Sequence, residues 1–230
     1  MIISVISGDK RNLVFQLYGS FKALIKHMFP AIVLLICTIN PVFAGGEVRI
    51  LVLGDSLSSG YGLPAGNSFP DLLQEALQND GLSVAIENAG VAGDTTTGGA
   101  ARLDWALASN PQAVIVELGA NDALRAIDPK ITRDNLDRIL AELARRNIPA
   151  LLTGMKAPPN LGIAYVQEFE SIFPDLAEQY QAVYHPFFLE GVVAQPHLNQ
   201  ADGIHPNRRG VEVVVSRILP YVKELIRRTE

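Results

Sequence analysis

Cysteine is nearly absent from this sequence, since Cys37 is the single one among 230 residues. A disulfide needs two cysteines in the chain and a cysteine-ligated metal site needs several, so both are excluded. Cys37 also lies inside an apolar run near the N-terminus, over residues 31–39. If that run belongs to a cleaved leader, the mature chain has no thiol, and a cysteine nucleophile is excluded as well.

Basic residues are fewer than acidic residues in this sequence. The chain has 19 Lys and Arg against 24 Asp and Glu, and its formal net charge is −5. The segment 1–44 carries four of the basic residues but only one acidic residue, so residues 45–230 have a net charge of −8. A surface of this sign repels phosphate backbones and anionic lipid. We therefore expect no nucleic-acid partner.

Long hydrophobic runs are also missing. The run 31–39 has about nine residues, whereas a membrane-spanning helix needs ~20. Basic residues precede this run, and Ala44 follows it just before a glycine. A basic segment, a short apolar core and a small residue are typical of a secretory signal peptide. We predict that residues 1–44 are cleaved and that residues 45–230 form one secreted domain, a monomer with no stable membrane anchor.

Short apolar runs alternate with segments of helical periodicity in the rest of the chain. One segment has apolar residues at Leu136, Ile139, Leu140 and Leu143, and a similar one, at 211–219, is followed by Pro220, which we expect to bend or interrupt the helix. Apolar runs without alternation favour strands that are buried on both faces. Alternating strands and helices predict an α/β fold, a three-layer α/β/α sandwich with a five-stranded parallel sheet. The predicted strands are 48–53, 84–87, 113–118, 149–153 and 182–184.

Polar residues follow the ends of the first three predicted strands and precede the last helix. In open parallel sheets, ligands bind outside the carboxyl ends of the strands. Ser56 follows the first strand, Gly93 the second and Asn121 the third, while Asp202 and His205 lie before the last helix. This edge of the sheet therefore brings together a hydroxyl, backbone N–H groups, a carboxamide, a carboxylate and an imidazole.

This set of groups is the one that acyl transfer requires. A serine hydroxyl is a poor nucleophile at neutral pH and needs an adjacent base, which His205 can be. Asp202, three residues before it, can accept the Nδ1–H of the imidazole and fix its tautomer. The N–H groups of Ser56 and Gly93 and the side-chain amide of Asn121 can donate to a tetrahedral oxyanion. No metal or other cofactor is needed.

The blocks that hold these residues resemble the SGNH (GDSL) hydrolase family in order and in wording. The resemblance covers almost all of residues 45–230. It implies a flavodoxin-like sandwich, a periplasmic location, and hydrolysis of carboxylic esters or thioesters of the arylesterase, lysophospholipase or thioesterase type. A carbohydrate acetylesterase is an alternative within the same family. The blocks are Gly54-Asp-Ser56-Leu, Gly93, Gly119-Ala-Asn121-Asp and Asp202-Gly-Ile-His205.

The residues also permit two other interpretations. A glycine-rich first loop could cradle the phosphate of a ligand such as a flavin in a non-catalytic module. An aspartate in that loop and an Asp-x-x-His loop elsewhere both argue against this role. An α/β-hydrolase would place its serine in Gly-x-Ser-x-Gly, whereas the string here is Gly54-x-Ser56-x-Ser58.

Several other polar and aromatic residues receive structural assignments. We expect Asp55 to be a turn residue, Asp122 to anchor the loop that presents Asn121, and His185 to pack in a loop. Trp105 is predicted to belong to the core. Aromatic residues that either line an acyl pocket or pack in the core are Tyr61, Phe187 and Phe188.

Overall fold

A computed structural model describes residues 46–230, and the predicted signal peptide lies outside the described residues. The five strands form one parallel sheet in the order β2-β1-β3-β4-β5. The predicted five-stranded parallel sheet is confirmed. The largest difference is in β2, which extends three residues beyond the predicted end. The strands are β1 (Val48–Gly54), β2 (Val84–Gly90), β3 (Ala113–Glu117), β4 (Ala150–Thr153) and β5 (Val183–His185).

Helices connect the strands and cover both faces of the sheet. On one face α2 packs against α8, and on the other α6 packs against α3 and α7. The three-layer sandwich follows from these contacts, as predicted. Among residues 46–230, no helix combines the length and apolar composition needed to cross a membrane. The helices are α1 (Ser56–Ser59), α2 (Phe69–Asn79), α3 (Thr96–Ala101), α4 (Leu103–Ala106), α5 (Ala120–Leu124), α6 (Pro129–Arg145), α7 (Ile163–Gln179) and α8 (Arg208–Arg227).

The core lies between the sheet and these two helical layers. Every residue of β3 and the segment 50–54 of β1 are buried, in agreement with the apolar runs that predicted them. In the helical layer that contains α6, the side chains of Leu136, Ile139 and Leu140 are also buried. Periodic apolar residues on a helix and continuous apolar residues on a central strand thus meet in one hydrophobic cluster.

The register of the sheet aligns the ends of its central strands. Gly54, the last residue of β1, is paired with Gly90 of β2 and with Glu117 of β3. The chain leaves all three strands at the same edge, which explains why residues far apart in sequence meet there. Gly90 also permits a close approach, because a Cβ at this position would lie 2.5 Å from the Ser59 backbone nitrogen.

One prediction about helical residues is wrong, and one half of another is wrong, while a bend at Pro220 stays a prediction. Trp105 does not belong to the core, since its side chain is 76% exposed on the short helix α4. Periodicity indicates which residues share a face, but no element of the described chain covers the face that carries Trp105. Pro220 does not interrupt the last helix, because α8 continues from Arg208 to Arg227 through it. Burial of Val222, Leu225 and Ile226 beyond the proline stabilises the second half of that helix.

Candidate active site

Ser56 is the first residue of α1, immediately after the central strand β1. Asp55 caps this helical turn, and its Oδ1 accepts the backbone N–H of Leu57 at 2.9 Å. The first N–H groups of a helical turn have no partner within the helix, so the N–H of Ser56 is available to a ligand. Asn88 stabilises this turn, because its Nδ2 donates to the backbone oxygen of Ser58 at 3.0 Å.

His205 lies against the Ser56 hydroxyl, although 149 residues separate the two in sequence. Its Nε2 is 2.9 Å from Ser56 Oγ, and its Nδ1 is 2.7 Å from Asp202 Oδ2. An ionised Asp202 can only accept a hydrogen bond, so the proton between these two groups belongs to Nδ1. The Nε2 lone pair then faces the Ser56 hydroxyl. This is the orientation that a base needs in order to remove the hydroxyl proton.

Asp202 also organises its own loop. Its Oδ1 accepts the backbone N–H groups of Ile204 at 2.9 Å and His205 at 3.0 Å. These backbone bonds and the bond from the imidazole lower the pKa of Asp202 to about 2. Asp202 therefore remains ionised throughout the neutral range and holds the imidazole from the same loop.

Ser58 and Ser59, the two serines that follow Ser56 closely, have hydroxyls with other hydrogen-bond partners. Ser58 is fully buried, and its hydroxyl donates to Glu117 Oε2 at 2.6 Å. The Ser59 hydroxyl donates weakly to the backbone oxygen of Ser56, at 3.4 Å. Of the three hydroxyls, the one that faces His205 belongs to Ser56.

Glu117 is a residue of this site that the sequence reasoning missed. It ends β3, is fully buried, and its Oε2 also accepts the backbone N–H of Asp55 at 3.2 Å. Burial and the neighbouring Asp55 charge raise the pKa of Glu117 well above its usual range. The sequence does contain a signal for it, namely a glutamate within an apolar strand that is predicted to be buried. Glutamates are almost never fully buried without a partner, so this position indicates a buried polar contact.

Asn121 lies in the first turn of α5, after β3, and reaches back to the loop that carries Ser56. Its Nδ2 donates to Asp55 Oδ2 at 2.9 Å. The loop beneath it is anchored by buried Asp122, which accepts the hydroxyls of Thr96 at 2.5 Å and Thr132 at 3.2 Å. The structural role predicted for Asp122 agrees with these contacts.

Gly93 lies in the turn after β2, with a positive φ of 79°. Its carbonyl oxygen accepts Arg125 Nη2 at 2.7 Å, which ties the turn to the residue that follows α5. The next residue, Asp94, pairs with Arg102 at 2.7 Å, and Arg102 in turn donates to the backbone oxygen of Gly54 at 2.9 Å. Two arginines therefore hold this turn, because Arg125 links Gly93 to the end of α5 and Arg102 links Asp94 to the end of β1.

His185, another histidine of the described residues, is separate from the site. His185 is buried at the end of β5, where its ring lies edge-on to Tyr221 with 4.9 Å between the ring centroids. Burial lowers the pKa of His185, so it is neutral at pH 7. It is packed, as predicted, but as the last residue of β5 and not in a loop.

A cavity of about 530 Å³ opens beside Ser56, Asn121 and His205. Most of its wall is apolar, and Phe187 belongs to this wall while Phe188 is buried in the core. Tyr61 lies against the His205 ring instead, with 4.6 Å between the ring centroids and 42° between the ring planes. Lys156 also contributes to the wall, and its Nζ lies 5.0 Å from the Phe187 ring centroid. Apolar wall residues are Leu57, Ala120, Ala123, Leu124, Met155, Ala157, Pro158, Pro159, Phe187, Leu189, Val193 and Ile204.

The described part of the chain contains no cluster of three His, Cys, Asp or Glu side chains that could hold a metal ion. The groups assembled at the cavity are a hydroxyl, an imidazole, a carboxylate and amide donors. Among known families, the GDSL-like lipase/acylhydrolase family matches residues 52–213.

The chain belongs to this family. An arylesterase from Vibrio mimicus is 42% identical over 159 residues, which cover 69% of this chain and 80% of the relative. Thioesterase 1/protease 1/lysophospholipase L1 from Escherichia coli K12 is 37% identical over 184 residues, 80% of this chain and 87% of that protein. The crystal structure of AlinE4, an SGNH-hydrolase family esterase, matches with 50% identity and a TM-score of 0.67, and covers 78% of this chain and 97% of that one.

Membership of the GDSL family confirms the resemblance that the four sequence blocks carried. The chain is accordingly a serine esterase of the SGNH type, with small-molecule esters as substrates.

Proposed function

We propose that this GDSL-family esterase hydrolyses carboxylic esters through an acyl-enzyme formed on Ser56. The observation that carries the proposal is the continuous chain of hydrogen bonds from Ser56 Oγ through His205 to Asp202, at 2.9 and 2.7 Å. A base and its orienting carboxylate activate a hydroxyl in this arrangement.

In the first half of the reaction, Ser56 Oγ attacks the ester carbonyl carbon while its proton passes to His205 Nε2. The carbonyl oxygen becomes an oxyanion, which the N–H groups of Ser56 and Gly93 and the Asn121 amide stabilise. When the carbon–oxygen bond to the alcohol breaks, His205 returns the proton to that alcohol. In the second half, His205 deprotonates a water molecule, which attacks the acyl-enzyme and releases the acid and free Ser56.

The cavity supports a substrate with an apolar acyl chain. Its wall next to Asn121 and His205 is formed mainly by aliphatic and aromatic side chains. Burying one methylene group contributes about 0.8 kcal/mol, or roughly fourfold in kcat/KM, wherever the chain reaches the wall. We propose medium-chain aryl or lysolipid esters as substrates, with thioesters of similar chains as a second class of acyl donor.

A series of p-nitrophenyl esters from acetate to palmitate tests the proposed acyl preference. We expect kcat/KM to rise from acetate to medium chains and then to level off where the chain passes the wall. Val193 lines the cavity and is 54% exposed, so Val193→Asp can place a charge in the wall without disturbing the core.

The expected result for Val193→Asp is a larger loss of kcat/KM for octanoate than for acetate. Trp105→Asp serves as the matched control, since Trp105 is also exposed. It lies away from the active site, because its neighbour Asp104 pairs with Arg146 near the start of β4, whereas the site lies at the carboxyl ends of the strands. An equal loss for both esters in Val193→Asp would show that the acyl chain does not use this wall.

We also propose that the enzyme acts in the periplasm after cleavage of residues 1–44. The basic, apolar and small-residue order of that segment supports export. Expression of the full chain in a Gram-negative host, followed by fractionation and N-terminal sequencing, should give a periplasmic protein that begins at Gly45. A protein that is retained in the cytoplasm with Met1 or Met28 as its first residue would contradict export.

A further inference from the structure

Asp55 is next to Ser56 in sequence, but its side chain forms hydrogen bonds with Leu57 and Asn121. It is fully buried. One carboxylate oxygen accepts the Leu57 backbone N–H at 2.9 Å, and the other accepts Asn121 Nδ2, also at 2.9 Å. The first bond caps α1. The second crosses from the end of β1 to the end of β3 and contacts the side chain that we assign to the oxyanion.

The second bond decides which way the Asn121 carboxamide faces. An ionised carboxylate has no proton to donate, so it accepts from the Asn121 NH₂ group and repels the Asn121 carbonyl oxygen. The NH₂ group has two N–H bonds, and the one that Asp55 does not use remains available to the cavity. If the amide were turned by 180°, its oxygen would take the place of this donor, and it would repel the oxyanion instead of stabilising it.

The surroundings of Asp55 act on its pKa in opposite directions. Burial raises the pKa of Asp55 to about 6, while the hydrogen bonds from Leu57 and Asn121 oppose this rise. The neighbouring Glu117 is the group whose pKa is raised well above its usual range. Since pH 7 lies above the pKa of Asp55, its carboxylate is mainly ionised at pH 7 and above and can then act as a pure acceptor.

We propose that Asp55 is a positioning residue that acts on ester hydrolysis through Asn121, by fixing its carboxamide with a donor towards the oxyanion. The inference rests on the proposed role of Asn121 as an oxyanion donor. It assigns Asp55 a function beyond that of the turn residue predicted from the sequence. Asp55 contacts neither the substrate carbonyl nor the Ser56 hydroxyl in this role.

Asp55→Asn reverses the polarity of one contact and leaves the rest in place. Asparagine has nearly the same size and is as good a helix cap as aspartate. With its oxygen kept on the Leu57 N–H, its new NH₂ group faces Asn121, whose oxygen must turn towards it. We expect kcat for p-nitrophenyl butyrate at pH 8 to fall on the order of 10²-fold, as for the loss of one oxyanion donor, with KM unchanged within about twofold.

A double-mutant cycle separates this role from a purely structural one. If Asp55 acts through Asn121, then Asp55→Asn should cost less than about threefold in kcat when Asn121 is already alanine. An equal loss in both backgrounds, or a wild-type kcat for Asp55→Asn alone, would overturn the inference while the proposed oxyanion site stands. A wild-type kcat for Asn121→Ala would overturn both.

Two further variants make the cycle independent of folding effects. Asp128→Asn is the matched control, because Asp128 caps α6 with the same bond, to the Lys130 N–H at 2.9 Å, and we expect it to leave kcat unchanged. If Asp55→Asn fails to fold, Asp55→Ser takes its place. Serine retains a capping hydroxyl but is too short to hold Asn121, so we expect this variant to lose kcat as well. Wild-type kcat in a folded Asp55→Ser would contradict the proposal.

Discussion

Ser56→Ala and His205→Ala are each expected to lower kcat for p-nitrophenyl butyrate by more than about 10⁴-fold. Ser56 supplies the oxygen that forms the acyl-enzyme, and His205 is the base hydrogen-bonded to it at 2.9 Å. Because the two act in the same step, the double variant should be little worse than either single variant. Steady-state hydrolysis followed by release of p-nitrophenol measures these losses directly.

The loss of activity should occur in folded proteins. Ser56 is only half-buried and His205 is partly exposed, so each replacement is expected to change the free energy of unfolding by less than about 1 kcal/mol. Ser59→Ala and His197→Ala are the matched controls, since neither side chain contacts His205 or Ser56 Oγ, and both should retain kcat within about twofold. A His205→Ala variant that keeps a tenth of wild-type kcat would rule out His205 as the base.

Asn121→Ala is expected to lower kcat by about 10²- to 10³-fold, equivalent to ~2.7–4 kcal/mol of transition-state stabilisation. The amide contributes mainly when the carbonyl oxygen becomes an oxyanion, so KM should change much less than kcat. The measurement is kcat and KM for p-nitrophenyl butyrate, with Asn79→Ala, on the exposed end of α2, as the control.

Stability must be followed in the same variant. Removing the Asn121 side chain leaves one oxygen of the buried Asp55 carboxylate without its donor, which costs roughly 1–3 kcal/mol. Activity should therefore be measured well below the unfolding temperature. A kcat within about threefold of wild type in folded Asn121→Ala would show that the backbone N–H groups alone serve the oxyanion.

The sequence predicted the parts of the site that depend on the order of strands and loops. Short apolar runs identified the five strands, and parallel strands place their carboxyl ends at one edge of the sheet. This was sufficient to bring Ser56, Asn121 and His205 together, because each lies within a few residues of such an end or of the final helix. The contact between Ser56 and His205 agrees with that prediction.

The contacts beneath and around these residues could not be predicted in the same way. Glu117 touches Ser58 and Asp55 because β1 and β3 are neighbours in register, which no local pattern encodes. The cavity wall combines the loops after β3, β4 and β5, so its shape depends on how those loops fold back over the sheet edge. The prediction that Trp105 belongs to the core is wrong because periodicity does not reveal which faces of a helix remain uncovered in the fold.

Labelling with a fluorophosphonate tests the central claim most directly, because the reagent forms a stable bond only with an activated serine. Intact-mass measurement and peptide mapping of the wild-type protein should show a single label on Ser56. Ser56→Ala should take up no label, and His205→Ala should react far more slowly. A label on Ser58 or Ser59, or an active esterase that takes up no label on Ser56, would contradict the account.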